Sequence, residues 1–75
     1  MDAHVLDQEM EVLNGSDKPA KVILEAWGDE LMLNTGETCR VAFKTVPEHR
    51  MIEIEYFDGG IAIHFPAGSV ADFVE

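Results

Sequence analysis

Lysine and arginine are missing from both ends of this 75-residue chain. Residues 1 to 14 carry Asp2, Asp7, Glu9 and Glu11 with no base, and residues 51 to 75 carry Glu53, Glu55, Asp58, Asp72 and Glu75, again with no base. Fifteen acidic against five basic residues give a formal net charge of -10, a balance that argues against direct binding to nucleic acid or to an anionic membrane surface. An acidic start is also the opposite of a basic signal-peptide start. Long hydrophobic runs are missing too, and none approaches the roughly 20 residues needed to cross a bilayer. Cysteine occurs once, at Cys39, which excludes a disulfide within the chain and suits a reducing compartment. A cytoplasmic location is therefore expected.

A chain of this length forms one domain, here residues 1–75, and buries only about 60% of the surface its unfolded form exposes. Its stability margin is thin, so self-association stays open as a source of further support. High charge can also signal disorder, but a hydrophobic content of 47% distributed in strand-length pieces contradicts that.

Those pieces alternate with a period of two. Ala20, Val22, Leu24 and Ala26 alternate with Lys21, Ile23, Glu25 and Trp27, and Cys39, Val41 and Phe43 alternate with Arg40, Ala42 and Lys44. Ile52, Ile54 and Tyr56 alternate with Met51, Glu53, Glu55 and Phe57, and Ile61, Ile63 and Phe65 alternate with Ala62 and His64. One apolar and one mixed phase is the pattern of a strand that packs on one face and meets solvent or a partner on the other. Turn residues separate the runs at Asn14-Gly15-Ser16-Asp17, Gly28-Asp29, Asn34-Thr35-Gly36-Glu37, Asp58-Gly59-Gly60 and Pro66-Ala67-Gly68-Ser69. Strands are predicted near 4–13, 20–27, 30–33, 38–45, 51–57, 61–65 and 70–74. Gln8 to Leu13 also fits one helical turn, and Ser69 could instead cap a short helix to Glu75. The reading is all-β: a small antiparallel sandwich or barrel of six to seven strands.

Chemistry-bearing constellations are scarce. Copper sites of the blue type need two histidines and a cysteine converging on one ion. The chain resembles the cupredoxins in architecture, but no histidine follows Cys39 until His49, and neither Cys nor Met follows His64. Zinc would want paired Cys or His, and calcium more oxygen ligands than Asp29, Glu30 or Asp58 supply. Cys39 lies in an apolar phase, where a thiol is buried and inert. Glu53 and Glu55 point the same way about 7 Å apart by strand rise, a spacing glycosidases use, but those enzymes need a far larger scaffold to build a cleft. The expectation is a non-enzyme with no cofactor and no metal.

Binding of another protein is what remains. The outward phases place Trp27, Asp29, Glu30, Glu53, Glu55, Phe57 and His64 on a candidate acidic, Trp-bearing sheet face, and an exposed tryptophan is a common interface anchor. The plainer reading of Trp27, at a strand end before Gly28, is a ring folded over the open end of a small core. For Glu53 and Glu55 it is a solvated face that discourages edge pairing.

Part of the chain resembles a set of small bacterial β-sandwich proteins. The resemblance spans about residues 12 to 65 and is carried by Asn14-Gly-Ser-Asp-Lys-Pro-Ala-Lys-Val-Ile-Leu-Glu-Ala-Trp-Gly-Asp-Glu and Leu33-Asn-Thr-Gly-Glu-Thr-Cys-Arg-Val. Ala26 and Asn34-Thr35 stand where that pattern usually has proline. It implies the fold and a bacterial or phage source, and brings no activity and no functional residues.

Three functions remain in view. The first is a non-enzymatic module that binds a protein, one with a basic surface in particular, through the acidic face. The second is an acidic mimic of nucleic acid that blocks a DNA-handling or phage-defence protein. The third is a homo-oligomeric structural or assembly protein.

Overall fold

The computed structural model describes residues 6–74. It holds seven strands in chain order: β1 (Gln8–Leu13), β2 (Ala20–Glu25), β3 (Asp29–Leu33), β4 (Thr38–Lys44), β5 (Glu53–Phe57), β6 (Gly60–His64) and β7 (Val70–Val74). Among the described residues there is no helix, so Gln8 to Leu13 and Val70 to Val74 both take the strand alternative, and none is long and apolar enough to cross a membrane. Residues 4 and 5 of the first expected strand lie outside the described residues.

Two sheets form. One has three strands in the order β1-β4-β7, and the other has four in the order β3-β2-β6-β5. All neighbours are antiparallel except β2 and β6, which run parallel with Lys21 beside Gly60 and Glu25 beside His64. That pair departs from the all-antiparallel expectation. The cause is topological: β3, β4 and β5 intervene between β2 and β6, long enough for the crossover a parallel neighbour needs.

The core lies between the sheets. Val22, Leu24, Leu33, Cys39, Val41 and Ile63 are buried at its centre, with Met10, Val12, Ile52, Ile61, Phe65, Ala71 and Phe73 packed around them. These are the apolar phases of their strands, as the two-residue rhythm requires. Fully burying a Leu or Ile stabilises the fold by about 1.5–3 kcal/mol, so Leu24 and Ile63, both at 0% exposure, are principal contributors.

The turn between β5 and β6 has one positive φ, at Gly59 (101°). Gly60 has none but is the tighter site: a methyl group built on it would overlap the backbone of Lys21 on the parallel neighbour. The Lys21 amide donates to the Gly59 carbonyl at 2.8 Å, fixing that close approach. Gly60→Ala is therefore expected to cost about 3 kcal/mol or more, by pushing β6 off β2. Gly59→Ala, with open space but a strained φ, is expected to cost about 1 kcal/mol. Urea unfolding of both variants checks the order. Equal losses would show that the β2–β6 approach does not constrain the fold.

Candidate functional site

Register sets which side chains share the outer face of the four-stranded sheet, because directly paired residues project to the same side. Across that face run three rows: Met32, Lys21, Gly60, Phe57; then Glu30, Ile23, Ala62, Glu55; then Glu25, His64, Glu53. Five of the sequence-predicted residues, Glu30, Glu53, Glu55, Phe57 and His64, are thus brought together on one face, with Ile23 at its centre. Gly60 and Ala62 give β6 almost no side chain here, and Ala62 is itself buried among its larger neighbours. His64 Nε2 sits 2.9 Å from Glu55 Oε1, and Lys21 Nζ lies 3.4 Å from Glu30. Glu25 and Glu53 have no ion pair among the described residues.

Trp27 and Asp29 are not part of that face. Trp27 lies in the turn after β2, with its ring centroid 5.7 Å from Phe65, which in turn lies 5.4 Å from Phe43. Phe65 and Phe43 belong to the core-side phases, so Trp27 lids one end of the core, half-exposed, and tilted aromatic pairs at these separations are favourable. Asp29 pairs across from Leu24, a core residue. It therefore follows the core-side phase, at the exposed margin of β3.

The opposite side of β5 holds what alternation missed. Ile54 and Tyr56 pair with Ile63 and Ile61 and so follow the core-side phase, which predicts burial. Instead Ile54 is 48% and Tyr56 83% exposed. The reason is coverage. β5 is the edge of the wider sheet, and the narrower sheet does not extend over it. A groove of about 740 Å³ results, between β1 and the core-side face of the four-stranded sheet, with Val12, Leu13, Val22, Ile54, Tyr56 and Ile61 as its apolar lining. That volume is in the range of ligand pockets, and the groove is open to solvent.

Asn14 anchors one wall of the groove. It is buried, and its Nδ2 donates to the carbonyls of Lys18 (2.8 Å) and Leu33 (3.0 Å), while Oδ1 accepts from the Ser16 amide (3.0 Å). Its backbone amide donates to the Glu37 carbonyl, and its carbonyl accepts from Gly36. One side chain thus ties the β1–β2 loop to the end of β3, and backbone bonds add the β3–β4 turn. Each such buried bond contributes about 1 kcal/mol, with a larger loss when its partners are left unpaired. The turn sequence Asn14-Gly15-Ser16 is legible as a turn, but the burial of Asn14 is not.

Other reactive groups have structural explanations. The Ser16 hydroxyl is engaged by Asn14 and the Lys18 carbonyl. Among the described residues no group of three or more His, Cys, Asp or Glu is placed to hold a metal ion. Cys39 is buried in the core, and that burial pushes its thiol pKa up. A raised folded-state pKa favours the neutral thiol. Its contribution is complete below the unfolded-state pKa and is lost as pH rises through the folded one. The difference in unfolding free energy between the native chain and Cys39→Ala is therefore expected to be constant up to about pH 8 and to shrink by pH 10. Denaturant curves at the two pH values check this, and a difference that grows with pH would contradict it. No family model, curated protein or solved structure matches the chain.

Proposed function

We propose that this chain is a protein-binding module rather than an enzyme, that it works in the cytoplasm, and that its contact surface is centred on β5. One observation carries the reading: all five residues of β5 are exposed, although three are Ile54, Tyr56 and Phe57. Among the described residues the strand pairs on one side only, with β6. It therefore offers an acidic surface on one face, an apolar groove on the other and a free backbone edge between them. Exposed apolar surface rimmed by polar residues is characteristic of an interaction site. With a net charge of -10, the partner surface is basic.

Mimicry of nucleic acid ranks lower on this face, because Glu30 and Glu55 each already have a cationic or protonatable neighbour, Lys21 and His64. Trp27 contributes to binding only from the rim.

Low-salt affinity capture with three forms of the chain tests the reading: the native sequence, Glu53→Lys combined with Tyr56→Ser, and Glu9→Lys on the outer face of the other sheet. The captured partner is expected to be retained by the Glu9 variant and reduced at least tenfold by the β5 variant, with both variants folded by far-UV circular dichroism. Retention by the β5 variant and loss by the Glu9 variant would move the site to the three-stranded sheet.

A further inference from the structure

We infer that the partner binds by strand addition: an extended segment with alternating basic and apolar residues pairs along the free edge of β5. This rests on the surface reading above and specifies its occupant. An edge strand leaves alternate backbone N–H and C=O groups unpaired, a template for a further strand. Among the described residues nothing pairs with that edge of β5.

The side chains of β5 then dictate the segment's composition. Glu53 and Glu55 lie on the outer face, and Ile54 and Tyr56 lie on the groove side. A strand laid alongside presents its residues to those two sides in strict alternation. The residues opposite Glu53 and Glu55 face uncompensated acid on Glu53 and partly compensated acid on Glu55, with Asp58 just beyond, and residues 51 to 75 hold no lysine or arginine to satisfy them. Opposite charges paired across strands are favourable and like charges are not, so Lys or Arg fits there. The intervening residues meet Ile54 and Tyr56 at the mouth of the groove, where an apolar side chain removes exposed hydrocarbon from water. The complementary segment therefore reads basic, apolar, basic, apolar.

The same carboxylates disfavour a second copy as occupant. Antiparallel self-pairing that keeps the two faces matched, centred on Glu55 or on Ile54, sets Glu55 against Glu55 or Glu53 of the other copy. Repulsion of that kind both protects an edge from self-assembly and selects a basic partner.

The test is a titration of the isotope-labelled full chain, followed by amide shifts, with four blocked nine-residue peptides at low salt. The first alternates Lys and Val, and the second has the same composition in two blocks. The third and fourth are the alternating peptide N-methylated at every second residue, one on each phase. Expected are shifts concentrated in residues 53–57, affinity at least tenfold weaker for the block peptide, and at least tenfold loss for one N-methylated phase with the other retained. Only backbone pairing on one edge distinguishes the two phases. Equal binding by both N-methylated peptides with shifts still on β5 would overturn strand addition and leave the surface reading standing. Shifts confined to the three-stranded sheet, or none on β5 at millimolar peptide, would overturn both.

Discussion

A sheet of four strands packed on a sheet of three cannot be covered across its whole core-side face, and in this chain core-side residues of both its edges are exposed: Asp29 and Leu31 on β3 and, more fully, Ile54 and Tyr56 on β5. Everything distinctive about the molecule follows from that mismatch. Ile54 and Tyr56 have the phase of core residues but no opposing layer, so a groove opens beneath β1. Burying either residue would stabilise the fold by an amount that a chain this small can ill forgo. An exposed apolar strand edge is also a hazard for aggregation. Glu53 and Glu55 on the other face of the same strand counter it by repulsion between copies. In the proposed function, partner binding and protection against self-pairing thus draw on the same five residues.

Two local devices hold the groove in place. The parallel pairing of β2 with β6 sets β5 one strand further out than a simple meander would. It depends on Gly60, where the backbones approach too closely for any side chain. Asn14 gathers the β1–β2 loop, the end of β3 and the β3–β4 turn around a single buried amide. A fully bonded buried polar group of this kind rigidifies its surroundings.

Much of this was legible in the sequence. The period of two marked β2, β4, β5 and β6 within a few residues, and the turn residues bounded the other three, of which the first and last also fitted a helix. The same rhythm sorted the core correctly at Val22, Leu24, Val41 and Ile63, because those strands have a sheet above them. It also gave Glu53, Glu55, Phe57 and His64 the outward phase, and the strand register brings them together with Glu30. It failed where phase and coverage separate: alternation says which way Ile54 and Tyr56 point, not whether anything packs on them. Asp29 illustrates a different limit. It begins its strand one residue before the predicted start, and as the neighbour of Glu30 in a strand it projects to the opposite face. Trp27 took the plainer of its two readings, a lid on Phe65, since a ring at a strand end can fold back over the core. The parallel β2–β6 pair had no local signal at all, because strand order is a property of the whole chain.

The uncovered core-side face of β5 is most directly tested by a dissolved paramagnetic probe with isoleucine methyls labelled, since Ile23, Ile52, Ile54, Ile61 and Ile63 sample every environment from surface to core. The account predicts strong broadening of the Ile54 methyl while that of Ile63 is untouched. An Ile54 methyl as protected as that of Ile63 would mean that β5 is covered, and would contradict it.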